Sequence, residues 1–282
     1  MSETGIEGYR DFLARRDGDA DLLHRRPTSR EQFFAALDAD PVRSTHPVDR
    51  RVFMRNLRHR RPEPDIDRKL LFLLATAKLN QAERFGVDLG DTYGRIGGDD
   101  QPPERVYIAL EEHYHTRLLA YVLDMFGLPF QVVVPPFVMR QFVKMEVFLP
   151  ERLGFAFVGA AEMAGCIMFY ELRRVGVELF ADEPDVAARI ERLYTEILAD
   201  EIRHVGYCAA NCTKPERALM RWLYPRFGRL FARQTAEIGL LADRNELDAR
   251  LDRPFDIDEL TADMPNETFF AARPWVKSPG VV

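Results

Sequence analysis

Two copies of one short pattern, Glu-x-x-His, constrain the fold of this chain more than any other feature. They are Glu112–His115 and Glu201–His204, and both lie in apolar sequence of helical character. Residues three apart on an α-helix share a face, so the carboxylate and imidazole of each pair can converge on one ion. Helical bundles that bind two metal ions use two such pairs together with one glutamate from each of two further helices. The repeated pattern therefore predicts an all-α bundle with a central di-metal site.

The composition is typical of a globular chain in a reducing compartment. The 282 residues are 46% apolar and 11% aromatic, which is enough to build a core. The apolar run over 155–170 carries Glu162 in its middle, so we expect no membrane span. The N-terminus lacks a basic start followed by an apolar run, and Cys166, Cys208 and Cys212 are too few for a disulfide framework. These features predict a cytoplasmic protein.

The charge distribution argues against a nucleic-acid partner. The formal net charge is −6, although the stretch from His24 to Arg61 is locally basic. Such a stretch could follow a phosphate backbone, but a solvated, ion-paired arm is the interpretation we prefer. Among its arginines are Arg25, Arg26, Arg50, Arg51, Arg55, Arg58, Arg60 and Arg61.

Prolines and composition divide the chain into three parts. Residues 1–65 are predicted to form an N-terminal arm with one or two short helices, which wraps the body or a second subunit and makes a homodimer our expectation. Residues 66–242 are the predicted di-metal helical bundle, and 243–282 an irregular, acidic C-terminal tail.

The bundle is predicted to contain five helices. The first two segments are 65–85 and 103–126, and the last two are 184–212 and 215–242. The third is expected to kink at Pro150 and to continue to about Phe180. A glycine-containing loop is predicted over 86–103 and a crossover loop over 129–137. Gly127 and Pro129 end the second helix, and Asp182 or Glu183 before Pro184 opens the fourth.

A ligand count asks for two further carboxylates. The two pairs supply four groups, and two five- or six-coordinate ions want two more, bridging, carboxylates to offset their charge. The first helix offers Glu83. The third offers Glu162 and Glu171, which lie on opposite faces of that helix because they are nine residues apart.

Depth along the third helix favours Glu162. Counting from the turn before Pro184, Glu162 lies close to the level of Glu201, whereas Glu171 is displaced by about 10 Å. Glu171 also precedes Arg174 by three residues, which predicts a solvent-facing ion pair. The spacing from Glu171 to Glu201 nevertheless matches the spacing from Glu83 to Glu112 more closely, so Glu171 stays an alternative.

These residues resemble the ferritin-like superfamily of di-iron carboxylate proteins. The likeness rests on Asp200-Glu201-Ile202-Arg203-His204, on Glu112-His113-Tyr114-His115 and on a carboxylate in each of two other helices, and it covers roughly residues 66–212. The size and the last motif are similar to the p-aminobenzoate N-oxygenase type, but Ile197 stands where that type has an additional histidine. The resemblance implies a four-helix bundle core with extra helices. It also implies the metal ligands Glu83, Glu112, His115, Glu162, Glu201 and His204.

Other constellations are weaker. His113 points away from His115 on a helix, which predicts a position at the surface or behind the ligands. His204, Cys208 and Cys212 follow one helical face, but a thiolate zinc site lacks a fourth ligand, and buried cysteines are usually apolar filler. Asp200 and Arg203 are predicted to orient histidines of the neighbouring helix.

The site chemistry predicts an enzyme. Carboxylates with two imidazoles suit two iron ions, with manganese or a mixed Mn/Fe pair as alternatives. We expect an O₂-activating di-iron oxygenase or oxidase that hydroxylates or N-oxygenates a small, fairly apolar substrate. It would receive electrons from an external donor and need no catalytic residue beyond the ligands. The alternatives are an iron-storage or other non-catalytic metal-binding protein, and a helical interaction module whose Glu/His pairs form buried salt bridges.

Overall fold

The described part of the chain is entirely helical. The computed structural model describes residues 28–97, 103–130, 149–262 and 264. Its ten helices are α1 Thr28–Ala39, α2 Arg50–Leu57, α3 Arg68–Gly97, α4 Pro103–Asp124, α5 Glu151–Leu179, α6 Pro184–Ala210, α7 Lys214–Gln234, α8 Ala236–Leu241, α9 Arg244–Leu251 and α10 Ile257–Thr261. The predicted all-α class is confirmed, while most of the predicted crossover loop lies outside the described residues.

Four long helices pack around a common core. Helix α3 packs on α4 and α5 packs on α6, and the two pairs meet where α4 contacts α6 and α3 contacts α5. A connection over 180–183 joins α5 to α6, which makes them antiparallel neighbours. Helix α7 lies along α5, and the short α8 contacts α3, α5 and α7. Polar side chains from four helices are thereby brought to one interior.

Local signals in the sequence explain most helix ends. Gly127 follows α4 with φ 63°, a conformation that glycine adopts without strain. Pro184 occupies the first turn of α6, and Thr213 and Glu216 form a capping box at the start of α7. Asp49 accepts hydrogen bonds from two backbone N–H groups of α2. The predicted boundaries around these residues are close to those observed.

Three segments differ from the prediction. Helix α3 runs on to Gly97, where a loop was predicted from residue 86. The predicted fifth helix breaks at Thr235 into α7 and α8. The predicted irregular tail contains α9 and α10, whose starts are capped by Asp243 and Asp256. Short capped helices lack the long apolar repeat on which the prediction relied.

The described part of the predicted arm packs on the four long helices. Phe34 and Leu37 of α1 are buried, and the Phe34 ring lies 5.9 Å from the Tyr114 ring and 5.8 Å from the Tyr121 ring, both of α4. The Ser44 amide donates to the carbonyl of Met125 at 2.9 Å. These contacts fasten the arm to the outside of α4.

Among the described helices, only α5 is long and apolar enough to cross a membrane by length and composition. In its most apolar 18-residue window, 56% of the residues are buried inside the protein. A core helix passes the same test of length and composition, so the test alone does not indicate a membrane span.

A close contact at Gly176 in α5 generates a stability prediction. A Cβ atom there would lie 2.7 Å from Phe72 of α3 and 2.8 Å from Ile190 of α6. We expect Gly176→Ala to destabilise the protein by about 1–3 kcal/mol in chemical denaturation, because two buried side chains must move. Gly239→Ala is the control, since a Cβ there meets nothing within 4 Å. Equal stability of the two variants would contradict this account of the packing.

Candidate metal centre

The structure brings all six predicted ligands together in the interior. Glu83 comes from α3, Glu162 from α5, and each Glu-x-x-His pair from α4 or α6. They form two groups, and within each group the ligand atoms all lie within 4.8 Å of one another. One group is Glu83, Glu112, His115 and Glu201, and the other is Glu112, Glu162, Glu201 and His204. These buried Glu and His side chains could hold a metal ion.

Two carboxylates belong to both groups. Glu112 and Glu201 are the shared members, whereas Glu83 and Glu162 each belong to one group. The ligand count had assigned the bridging role to the two additional carboxylates. In the described structure the members common to both groups are instead the carboxylates of the paired motifs.

Both imidazoles present the same nitrogen to the cluster. His115 Nδ1 lies 3.0 Å from Glu83 Oε2 and 3.0 Å from Glu201 Oε1. His204 Nδ1 lies 3.4 Å from Glu112 Oε1 and 3.9 Å from Glu162 Oε2. The two rings are 5.8 Å apart, centroid to centroid. Each ring therefore directs Nδ1 inward and Nε2 outward.

Each Nε2 atom lies within hydrogen-bonding distance of a carboxylate outside the cluster. His115 Nε2 lies 3.1 Å from Asp200 Oδ2, and His204 Nε2 lies 2.9 Å from Glu111 Oε2. Asp200 precedes Glu201 in sequence and Glu111 precedes Glu112, so each motif supports the histidine of the other. A carboxylate can only accept from an imidazole N–H, so this arrangement leaves the Nδ1 lone pair available for a cation.

The cluster is buried, with one less buried side. The side chains of Glu83, Glu201 and both histidines are at most 6% exposed, whereas that of Glu162 is 16% exposed. His204 Nδ1 is buried and makes no hydrogen bond to the described residues. An orphaned imidazole nitrogen that faces carboxylates fits a cation at this position.

Burial raises the pKa of three of the carboxylates. It is the largest cause for Glu83 and Glu201, whose pKa values are held well above the usual range, with further contributions from neighbouring carboxylates. Burial likewise raises the pKa of Glu112 to about 7. Without a metal ion, protons must therefore neutralise much of this cluster, and binding of a cation would displace them.

Glu162 and His204 show the opposite balance. Burial alone would raise the pKa of Glu162, but the neighbouring Glu201 and His204 side chains outweigh it and lower the pKa. Burial alone would lower the pKa of His204, but contacts with three carboxylates raise it well above its usual value. The contacts between these two side chains therefore shift both pKa values toward the charged forms.

A glycine makes room for one of the shared carboxylates. A Cβ atom on Gly86 would lie 2.4 Å from Glu112 Oε2. This close approach, one turn after Glu83 on α3, explains the glycine where the sequence suggested a loop. Gly86 lies within helix α3, where the missing side chain leaves space for the Glu112 carboxylate. A glycine inside a helix costs about 1 kcal/mol in helix propensity.

Glu171 does not join the cluster. It is 3% exposed rather than solvent-facing as predicted, and it contacts Arg174 Nη2 at 3.0 Å and Arg250 Nε at 3.1 Å. Arg250 belongs to α9, so a helix in the predicted tail covers this carboxylate. The choice of Glu162 over Glu171 therefore agrees with the positions of both side chains.

The remaining sequence expectations concern neighbours of the ligands. His113 is exposed, and Cys208 and Cys212 are buried and belong to neither described ligand group. Asp200 contacts a histidine of the neighbouring helix as predicted. Arg203 is fully buried.

Sequence reasoning missed Glu111 and Arg30. Glu111 could have been found, because an acidic residue directly before the Glu-x-x-His pattern occurs in both copies. Arg30 of α1 contacts Asp200 Oδ2 at 2.7 Å. No local pattern connects residues so far apart, so only the fold reveals this contact.

Comparison with known proteins adds no relative. No family model, curated protein or solved structure matches this chain. The molecule is therefore defined by its own fold and site, as an all-helical protein with a buried carboxylate and histidine cluster that could bind metal.

The positions of Glu162 and Glu171 predict different effects of the same substitution. Glu162→Gln removes an anionic oxygen from one group only, so we expect about half the metal of the wild type by mass spectrometry. Glu171→Gln should leave the metal content unchanged but lower stability by about 1–2 kcal/mol, because two arginines lose their carboxylate. The reverse pattern would make Glu171 the ligand.

The raised pKa values predict that metal-free protein loses stability as pH rises. Glu112 titrates near pH 7 when folded but near 4.5 when unfolded, so the folded state binds more protons between these values. His204, with its raised pKa, acts in the same direction. After chelation we expect a loss on the order of 1–3 kcal/mol between pH 5.5 and 7.5 in thermal unfolding.

Glu112→Gln is the check on that pH dependence. The neutral amide has no proton to lose, so the metal-free variant should show a shallower decline and exceed the metal-free wild type in stability at pH 7.5. A variant with the full pH dependence would show that Glu112 is not its source.

Proposed function

We propose that this protein is an O₂-activating di-iron oxygenase or oxidase with a ferritin-like bundle core. The observation that carries the proposal is the pair of ligand groups that share Glu112 and Glu201 and each include one histidine Nδ1. Glu112 and Glu201 would each be available to both of two bound cations. That is the arrangement expected of a two-ion site rather than of two separate ones.

The donor set supports iron. Four carboxylates carry the charge needed to offset two divalent ions, and two imidazoles complete a mixed oxygen and nitrogen environment. Cys166 on α5 is buried, and burial raises the pKa of its thiol well above the usual value, which disfavours a thiolate ligand. Manganese or a mixed Mn/Fe pair would suit the same donors.

Each residue has a role in this proposal. Glu83 with His115, and Glu162 with His204, would complete the two ligand groups around the shared carboxylates. Asp200 and Glu111 hold the protons of the outer imidazole nitrogens.

The less buried side chain of Glu162 marks the side from which O₂ and substrate approach. A Cβ on Gly165 of the same helix would lie only in ordinary contact, 3.8 Å from Glu201 Oε2. The helix thus offers little bulk beside the shared carboxylates.

Bound iron would supply the reduction of O₂, and the chain supplies position and exclusion of water. The apolar residues of α5 in the core, Met163, Met168 and Phe169, suit a small and fairly apolar substrate that is hydroxylated or N-oxygenated. An external electron donor, a homodimer and a cytoplasmic location remain parts of the proposal.

Metal content and O₂ consumption test the function. Protein purified without chelator should carry about two iron or manganese ions per chain, and anaerobic Fe(II) should restore that number to stripped protein. Glu112→Gln should lose most of the metal, because both groups include Glu112. Glu178→Gln, an exposed change on α5, is the matched control.

The outcomes separate the three function classes. Binding that stops near two ions, with O₂ uptake upon reduction, supports the oxygenase or oxidase. Continued iron uptake beyond two ions per chain would indicate storage. Wild type without stoichiometric metal after anaerobic reconstitution would exclude both and favour a helical interaction module with buried salt bridges.

A further inference from the structure

Arg30 places a buried positive charge next to the cluster. It lies on α1, in the predicted arm, and is only 3% exposed. Its Nη2 atom is 2.7 Å from Asp200 Oδ2, Nη1 is 3.6 Å from Glu196, and the guanidinium lies 5.4 Å from the centre of the Tyr114 ring. A guanidinium is costly to bury without such partners. These contacts therefore allow α1 to pack with the Arg30 side chain directed toward the interior.

One oxygen atom connects Arg30 to the ligands. Asp200 Oδ2 contacts both Arg30 Nη2 and His115 Nε2, at 2.7 and 3.1 Å. The opposite nitrogen of the His115 ring faces Glu83 and Glu201. A charge-assisted hydrogen bond fixes the carboxylate more firmly than a neutral one would.

We propose that Arg30 is a positioning residue for one of the two ion sites. It fixes the Asp200 carboxylate, and Asp200 in turn fixes the His115 ring with Nδ1 toward the cluster. The inference rests on the proposed function, since it assumes that His115 binds a metal ion.

The effect of Arg30 is asymmetric. His115 belongs only to the group with Glu83, whereas the other group uses His204, whose Nε2 is held by Glu111. Loss of Arg30 should therefore weaken one ion and spare the other. A general packing defect would weaken both.

The same contact couples metal binding to docking of the arm. If docked α1 raises the affinity of one ion, that ion must stabilise docked α1 by the same factor. Helix α1 is therefore an element of the ion site, although it lies outside the four helices that supply ligands.

The test uses Co(II) as a visible-absorbing probe in stripped, full-length protein under anaerobic conditions. Wild type should bind two Co(II) ions in competition with a chromophoric chelator. Arg30→Gln should weaken one of them by about 10–100-fold and leave the other unchanged, a range typical for loss of a residue behind a ligand. Arg30→Lys should recover part of the loss because it keeps the charge.

Two variants serve as controls. Arg117 lies 3.7 Å over the Phe34 ring and thus also holds α1, but it does not contact Asp200 in the described contacts. Arg117→Gln keeps the contact between Arg30 and Asp200, so both Co(II) affinities should stay unchanged. Asp200→Asn should weaken the same single ion, and the double variant with Arg30→Gln should be little worse than either alone.

Amide exchange gives an independent readout. Co(II) should slow exchange in α1 of the wild type and have a smaller effect in Arg30→Gln. Unchanged affinities in Arg30→Gln, or equal weakening of both ions, would overturn the role of Arg30 while leaving the ion sites in place. Wild type that binds no Co(II) would instead remove the proposed function itself.

Discussion

Concentrated burial of ionisable groups is the constraint on which the rest of this structure depends. Four carboxylates and two imidazoles occupy the space between four helices, where apolar side chains would otherwise pack. Isolated charges at such a position are too costly to persist, so protons or cations must neutralise them. The raised pKa of Glu112 and the orphaned His204 Nδ1 both reflect this demand.

Neutralisation of charge alone would not fix the orientation of the two imidazole rings. The outer carboxylates, Asp200 and Glu111, fix it through their contacts with the Nε2 atoms. Consecutive residues on a helix point about 100° apart, so Glu111 faces a neighbouring helix while Glu112 faces the cluster. In the same way, Asp200 faces His115 on the neighbouring helix while Glu201 faces the cluster. Each motif therefore carries both a group for the interior and a support for the opposite histidine. Because the support is mutual, a shift of α4 against α6 would disturb both imidazoles together.

The sequence was most informative where chemistry and helical period coincide. The repeated Glu-x-x-His pattern was enough to predict an all-α chain and the residues that cluster, and Glu162 was chosen from its depth along the helix. Prediction failed where three-dimensional contact decides. Gly86 resembled a loop residue but accommodates a carboxylate, and Glu171 resembled a surface residue but is covered by Arg250. Neither contact produces a periodic pattern of residues from which it could be predicted.

Arg30 illustrates why the ligands alone do not define such a site. The four long helices could bring Asp200 to His115 without α1, yet Asp200, which is fully buried in the described structure, would then lack the Arg30 guanidinium. Removing one partner of a buried pair costs more than the pair contributes, because the other charge stays behind. Helix α1 is thus held against the four long helices by the same electrostatic demand that the cluster creates. The proposed role of Arg30 implies that the arm and the cluster respond to metal as one unit.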